Sequence, residues 1–397
     1  PRIPFPKTIL TLCTLSLCLL CIEAYLHVLH KEDPPQGYSL SFYTHRGDRI
    51  STLDGALHLA ISPFTLYKNL PNQKTETFTV NSMGFRGPEV FITPDQRERV
   101  IVVGGSAAFG LGAKNDSETF IAQAQALSDE YEWINAGVCG FLSGQELTYI
   151  VTELVDYQPD IIVSYDGWND FFGAWFFANC LRDRKRKDEL GANLFVLGQI
   201  ETELLGNYNT QVNLTDSAGR FIGTLLDKSA IISTFRERKP EEIDRILRPG
   251  RTTENSMQSD ADYLEDAVRS CTTNIKKMRD FCRSQGIDFL AVLQPDLGLK
   301  TNTTPEEKRL LLNMESFIQH YMEEYRNDFP ALYGRFLESV KAVLAREEIE
   351  FIDISEDRRF SSCEETTFED TVHTNRAGNE IIAGIIHEKI TRHESLH

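Results

Sequence analysis

The chain has 397 residues, of which 41% are hydrophobic and 10% aromatic, so it can bury one large core or two smaller ones, and disorder of the whole chain is excluded. The formal net charge is −18 and the sequence pI is near 5.0. An acidic chain of this kind offers no basic face to neutralise phosphates, so no nucleic-acid partner is expected.

The amino-terminal segment has the pattern of an export signal. Residues 9–22 are an uninterrupted run of apolar, Thr, Ser and Cys residues, preceded by Arg2 and Lys7. The run is shorter than the roughly 20 residues of a spanning helix, although residues 24–26 could extend it. We therefore expect residues 1–30 to be a signal peptide or a membrane anchor. The protein would then be exported, periplasmic or extracellular, with membrane contact through this segment only.

Residues 31–98 contain several prolines, among them Pro34 and Pro63, and show little helical periodicity. A short alternating pattern at residues 77–81 predicts one strand. The segment is interpreted as a lead-in to the domain formed by residues 99–397.

From residue 100 onward, short apolar runs alternate with helical stretches, which indicates a parallel sheet with helices on both faces. The predicted strands are residues 100–103, 133–136, 161–165, 289–293 and 351–352. The predicted helices are residues 117–127, 144–155, 260–284, 304–346 and 374–390. Residues 171–257 interrupt the alternation and are predicted to be a large insertion after the third strand. In such folds ligands bind at the carboxyl ends of the strands.

Ser106 directly follows the first predicted strand, within the sequence GGSAAFG at residues 104–110. A serine at a strand end, beside glycines that allow close backbone approach, occupies the position of a nucleophile. Glycine-rich turns also bind phosphate, but this one lacks the Lys-Ser/Thr pair of a P-loop and the spacing of G-x-G-x-x-G. It also departs from the G-x-S-x-G nucleophile elbow, because Ala108 replaces the last glycine.

An Asp-x-x-His sequence, from Asp370 to His373, precedes the last predicted helix. One turn can hold such a pair so that the carboxylate fixes the imidazole tautomer while the other ring nitrogen accepts the serine proton. Ser106, Asp370 and His373 are therefore predicted to form a catalytic triad.

Two further motifs each follow a predicted strand, so all of them meet at one edge of the sheet. Gly137 follows the second strand, and Asn169 lies after the third in the sequence GWND. An acyl-transfer site needs hydrogen-bond donors for the developing oxyanion. The predicted donors are the backbone N–H of Ser106, the backbone N–H of Gly137 and the side-chain amide of Asn169. Asp170 is interpreted as a structural residue that holds this turn.

In this order the four motifs resemble those of the SGNH, or GDSL, hydrolases, with Ser106, Gly137, Asn169 and His373 on the four positions that name the family. The resemblance implies a flavodoxin-like three-layer α/β/α sandwich with a five-stranded parallel sheet. The family's usual Asp before the serine is Gly105 here, but that Asp is not a triad member. Residues 81–87, NSMGFRG, resemble the lead-in of exported bacterial members, some of which are tied to polysaccharide acylation.

The expected activity is that of a serine esterase, which hydrolyses a small carboxylic ester or an O-acyl group on a carbohydrate or lipid through an acyl-serine intermediate. An O-acyltransferase acting on a polysaccharide is the alternative, because the same intermediate can pass its acyl group to a sugar hydroxyl. A catalytically silent binding module of the same fold is disfavoured by the complete triad. Metal-assisted hydrolysis lacks a ligand set, since His45, His58, His320 and His387 are scattered, so no metal and no cofactor are expected.

Overall fold

The computed structural model describes residues 38–40, 57–173, 260–312 and 329–392. These residues all belong to one unit. The predicted export segment, and the predicted insertion beyond residue 173, lie outside the described ranges. Within those ranges no helix combines the length and the apolar character needed to cross a membrane.

Short antiparallel strands precede the main sheet. They are β1 (Tyr38–Leu40), β2 (Leu57–Ser62), β3 (Leu66–Asn69), β4 (Gln73–Lys74) and β5 (Thr79–Val80). β1, β2 and β3 form one antiparallel sheet, and β4 pairs with β5. Of these strands the sequence predicted β5 alone.

A parallel sheet of five strands forms the centre of the domain. Its strands are β6 (Glu98–Gly104), β7 (Tyr131–Asn135), β8 (Ile161–Asp166), β9 (Asp288–Leu293) and β10 (Phe351–Asp353). They lie in the order β7-β6-β8-β9-β10, and every neighbouring pair is parallel. This is the flavodoxin-like order, which reverses between β6 and β8. The predicted fold class is confirmed, and all five predicted strands are present.

Helices cover both faces of this sheet. They are α1 (Ser106–Phe109), α2 (Phe120–Gln125), α3 (Ser143–Thr152), α4 (Asp260–Gln285), α5 (Phe329–Arg346), α6 (Arg358–Ser361) and α7 (Arg376–Arg392). α2 and α7 pack together over Val100 and Val102, and α4 packs against both α3 and α5. Ile101 and Val103 alternate with these valines and are equally buried, so neither face of β6 meets solvent. Residues 168–173 and 305–312 are also helical.

Two helices begin later than the sequence pattern predicted, because polar side chains cap them. Thr119 Oγ1 accepts the Ala122 N–H at 3.2 Å, so α2 begins at Phe120 rather than at residue 117. Asn375 Oδ1 accepts the Gly378 N–H at 3.2 Å in front of α7. Residues 313–328 of the predicted helix 304–346 lie outside the described ranges.

The segment before β6 packs directly against the sheet. The Asn69 side chain donates to the Gly137 carbonyl at 2.9 Å, and the Arg86 N–H donates to the Asn135 carbonyl at 3.1 Å. These bonds reach the loop that follows β7, at the carboxyl edge of the sheet. The segment from Leu57 onward therefore contributes to the same edge as the predicted catalytic residues.

A buried ion pair fixes the chain that leads to Asp370. Lys300 Nζ lies 2.8 and 2.9 Å from the two carboxylate oxygens of Glu307, and both side chains are fully buried. Lys300 also donates to the Glu365 carbonyl at 2.7 Å, and Glu307 accepts the Thr367 N–H at 2.9 Å. The pair thus joins the segment after β9 to the residues just before the Asp-x-x-His turn.

Replacing Lys300 by Met should lower the free energy of unfolding by about 3–5 kcal/mol, because Glu307 would remain buried without its cation. The matched control is Lys389→Met, which breaks the exposed Lys389–Glu350 pair and should cost at most about 1 kcal/mol. Urea unfolding of the three proteins measures both values. Equal losses in the two variants would contradict a structural role for the buried pair.

Candidate active site

Ser106 is the first residue of α1, at the carboxyl end of β6. The turn into this helix requires glycine, since Gly104 has a φ of +156° and a Cβ there would lie 2.5 Å from the Ala108 Cβ and 2.8 Å from the Tyr165 carbonyl oxygen. As the first helical residue, Ser106 has an N–H without a partner within the helix. The serine therefore presents both its hydroxyl and a backbone donor at the sheet edge.

The structure brings the three predicted triad residues into a continuous hydrogen-bonded chain. Ser106 Oγ lies 2.7 Å from His373 Nε2, and His373 Nδ1 lies 2.6 Å from Asp370 Oδ2. In this arrangement a Nδ1–H donates to the carboxylate, and Nε2 is left to accept the serine proton. The geometry is that of a nucleophile beside an oriented general base.

The Asp370 carboxylate is held in its ionised form. Burial raises the pKa of this carboxyl, but the neighbouring His373 and hydrogen bonds outweigh that effect and lower the pKa below its ordinary value. The hydrogen bonds come from the backbone N–H groups of Val372 and His373, which both donate to Asp370 Oδ1 at 2.8 Å. A charged Asp370 favours the imidazolium that forms when His373 takes a proton.

The Asp-x-x-His turn is fastened to the loop after β9. The Gln294 side chain donates to the Val372 carbonyl at 3.1 Å, and the Leu297 N–H donates to the Thr371 carbonyl at 2.9 Å. The Glu369 N–H closes the turn by donating to the His373 carbonyl at 2.9 Å. These bonds fix the backbone of the turn and hence the direction of the imidazole.

Asn169 lies beside the nucleophile turn, as the sequence predicted. Its Nδ2 donates to the Phe141 carbonyl at 2.7 Å, which leaves the second amide hydrogen for another acceptor. A Cβ on Gly105 would lie 2.2 Å from this Nδ2. Glycine at position 105 therefore makes room for the amide next to Ser106.

The N–H of Gly137, predicted to be an oxyanion donor, already has a partner within the protein. Its N–H donates to Asn135 Oδ1 at 3.0 Å, and a Cβ there would lie 2.2 Å from the Phe109 nitrogen. Gly140, in the same loop, is only partly buried, has a φ of +79°, and within the described chain its N–H has no protein acceptor. Gly137 is thus a packing glycine whose N–H is already engaged, whereas the N–H of Gly140 is available.

Asp170 holds the Asn169 turn, as predicted. Its Oδ1 accepts the Ser143 hydroxyl at 2.6 Å, and its Oδ2 accepts the Ser143 N–H at 3.1 Å, which ties the turn to the start of α3. Burial is the main cause that raises the pKa of Asp170 to about 7, with the nearby Asp166 carboxylate adding to the effect.

Behind this turn lies a buried pair of carboxyl groups that the sequence did not reveal. Glu146 is fully buried, and no N–H or O–H group of the described residues donates to either of its oxygens. It faces Asp166, which the Ser164 hydroxyl contacts. Burial, with the repulsion of Asp166, raises the pKa of Glu146 well above its ordinary value, so a protonated Glu146 donates its O–H to Asp166.

Across the ranges described, no group of His, Cys, Asp and Glu side chains could hold a metal ion.

Comparison with known proteins gives resemblances in structure alone. No protein-family model matches the sequence, and no curated protein matches it. A lipase/acylhydrolase from Enterococcus faecalis aligns with 12% identity and a TM-score of 0.39, over 74% of this chain and 96% of that one. A GDSL-like lipase from Bacteroides thetaiotaomicron aligns with 11% identity and a TM-score of 0.35, over 74% and 88%. An acetyl xylan esterase aligns with 13% identity and a TM-score of 0.37, over 74% and 99%.

Glu146→Gln should flatten the dependence of stability on pH. A buried acid whose pKa is raised keeps its proton in the folded state and loses it in the unfolded state, so stability falls as pH rises above the ordinary carboxyl range. Glutamine cannot ionise and can still donate to Asp166. As the pH rises from 5 to 8, we expect the free energy of unfolding of the variant to increase by at least about 1 kcal/mol relative to that of the wild type.

Urea unfolding at several pH values between 5 and 8 measures this difference. The control is Glu380→Gln on the exposed side of α7, which should leave the pH dependence of the wild type unchanged. Parallel curves for the wild type and Glu146→Gln would contradict the assignment of the proton to this pair.

Proposed function

We propose that the protein is a serine hydrolase that cleaves carboxylic esters. The observation that carries this proposal is the chain of contacts from Ser106 Oγ to His373 Nε2, at 2.7 Å, and from His373 Nδ1 to Asp370 Oδ2, at 2.6 Å. The side chains come from both ends of the domain and meet at the carboxyl edge of the sheet, where folds of this order bind ligands.

In the proposed reaction Ser106 Oγ bonds to the carbonyl carbon of the ester while His373 Nε2 takes the hydroxyl proton. The tetrahedral intermediate collapses, the bond to the alcohol oxygen breaks, and His373 returns the proton to that oxygen. Water then attacks the acyl-serine with His373 again as the base, which releases the acid and restores Ser106.

We assign the oxyanion donors to the Ser106 N–H, the Asn169 amide and the Gly140 N–H. The assignment of Gly140 in place of Gly137 follows from the bond between the Gly137 N–H and Asn135. The Phe141 carbonyl lies between two of these donors. It accepts the Asn169 amide, and it is close to the residue before Ser106, since a Cβ on Gly105 would lie 3.4 Å from the carbonyl oxygen. One such donor contributes about 10²- to 10³-fold to the rate.

The proposed substrates are small esters, including O-acyl groups on a carbohydrate or lipid. Transfer of the acyl group to a sugar hydroxyl is the alternative reaction of the same acyl-serine, and the rate at which an added sugar competes with water distinguishes the two. Export through residues 1–30 is part of the proposal and rests on the charge and apolar pattern of those residues. A silent binding module is disfavoured because the three triad side chains are in contact.

Ser106→Ala and His373→Ala should each lower kcat by at least about 10³-fold without loss of fold, because either change removes the nucleophile–base pair. The assay is hydrolysis of p-nitrophenyl esters from acetate to octanoate, together with labelling by a fluorophosphonate. Ser117→Ala, on an exposed serine, is the control and should retain full activity. A folded wild type that neither hydrolyses these esters nor becomes labelled would overturn the proposal.

Asn169→Ala should lower kcat by about 10²- to 10³-fold and change KM little, because the amide is proposed to bind the oxyanion rather than the substrate ground state. Asn302→Ala is the matched control, since Asn302 is exposed and its side chain donates to the Ser362 carbonyl, outside the proposed site. A rise in KM at constant kcat would show instead that Asn169 binds the substrate.

A further inference from the structure

We propose that Arg86 is a positioning residue that fixes α1, the helix that begins at Ser106, relative to the oxyanion loop. The oxyanion loop is residues 136–142, which follow β7 and include Gly140. The inference rests on the proposed esterase function and concerns a side chain that touches neither the triad nor the predicted donors. It assigns a role to the NSMGFRG segment, which the proposed reaction does not otherwise use.

The helix that carries Ser106 is too short to hold its own geometry. α1 contains four residues, and Gly110, with a φ of +95°, caps its carboxyl end. A single turn of helix is unstable on its own, because it fixes several backbone dihedrals for very few hydrogen bonds. Its last carbonyl groups also have no partners within the helix. Groups outside α1 must therefore satisfy them.

The Arg86 guanidinium supplies those partners. Its Nη1 donates to the Phe109 carbonyl at 3.1 Å and to the Gly110 carbonyl at 2.8 Å. Its Nη2 donates to the Thr77 carbonyl at 3.0 Å, and its Nε donates to Asp116 Oδ1 at 2.9 Å. A cation near the carboxyl end of a helix is also favourable for the helix dipole. Arg86 thus caps α1 from a segment that precedes β6.

The same residue reaches the oxyanion loop through Asn135. The Arg86 N–H donates to the Asn135 carbonyl at 3.1 Å. The Asn135 side chain donates to the Phe109 carbonyl at 3.2 Å and accepts the Gly137 N–H at 3.0 Å. The Phe109 carbonyl is therefore shared between Arg86 and Asn135, which connects the end of α1 to the loop that follows β7.

Local sequence fixes the position of Arg86. Asn81 Oδ1 accepts the N–H groups of Met83 and Phe85 at 2.9 and 3.0 Å, which closes a turn just before the arginine. Gly84 and Gly87 have φ values of +90° and +110°, which glycine adopts without strain. The guanidinium then lies 5.0 Å from the centroid of the Phe109 ring, so its charge is packed against the helix it caps.

The experiment compares Arg86→Lys with Arg99→Lys in the full-length chain. Arg99 is equally buried but lies at the amino-terminal end of β6, where it bonds to Glu132 and to the Ile92 and Tyr157 carbonyls. Lysine keeps the positive charge in both variants but lacks the planar set of N–H donors of the guanidinium. We expect both variants to melt at a lower temperature than the wild type.

Only Arg86→Lys should affect the chemistry. We expect it to lower kcat and the rate of fluorophosphonate labelling of Ser106 by at least about tenfold, with KM within about twofold, because small displacements of a nucleophile cost large factors in rate. Arg99→Lys should keep the kcat and labelling rate of the wild type at temperatures where it is folded. Unchanged labelling in folded Arg86→Lys, or an equal loss in both variants, would overturn the positioning role.

A wild type that is not labelled would overturn the esterase function itself, and the positioning inference with it. If Arg86→Lys does not fold, Asp116→Asn replaces it. Asp116 is partly exposed, and the amide retains an acceptor for Arg86 while losing the charge. We expect this variant to fold and to lower labelling about threefold or more, since the guanidinium is less firmly held. Labelling at the wild-type rate would overturn the proposal.

Discussion

The hydrogen bond between Ser106 Oγ and His373 Nε2 joins residues that are 267 positions apart in the chain. No local turn can make such a contact, so it depends on the parallel sheet, which places the end of β6 and the segment after β10 at one edge. A register shift of one residue would turn each buried strand side chain to the opposite face. The position of the serine hydroxyl is therefore set by the whole sheet and not only by its own loop.

Buried polar groups then fix the loops at that edge. Lys300 and Glu307 hold the approach to the Asp-x-x-His turn, and Asp170 holds the Asn169 turn to α3. Burying such groups costs free energy unless each is fully bonded, and an incomplete set is worse than an apolar core. Lys300 and Asp170 both have several partners. Their hydrogen bonds thus offset the free-energy cost of burial. Because these bonds are directional, they hold the loops in one geometry, which apolar contacts alone would not do.

Sequence patterns predicted the fold and the grouping of Ser106, Asp370 and His373, because both have a local signature. β6 and β8 are buried on both faces and therefore appear as continuous apolar runs, and Asp370 and His373 lie within one turn. The direction of a backbone N–H in a loop has no such signature, so the sequence assigned the donor to Gly137, whose N–H in fact faces Asn135. Glu146 likewise resembles a solvated helical residue, and only the packing of α3 beside Asp166 shows that it is buried.

The site consequently has two supports that do not share a residue. Arg86 and Asn135 fix the carboxyl end of the serine helix through one carbonyl, that of Phe109. Asp170 fixes the Asn169 turn from the other side of β6, through Ser143 and α3. In the proposed reaction the oxyanion meets donors from both sides at once, so an error in either support would misplace donors relative to Ser106. The proposed chemistry thus requires rigidity on both sides of the serine, and the buried polar and charged groups around Ser106 supply it.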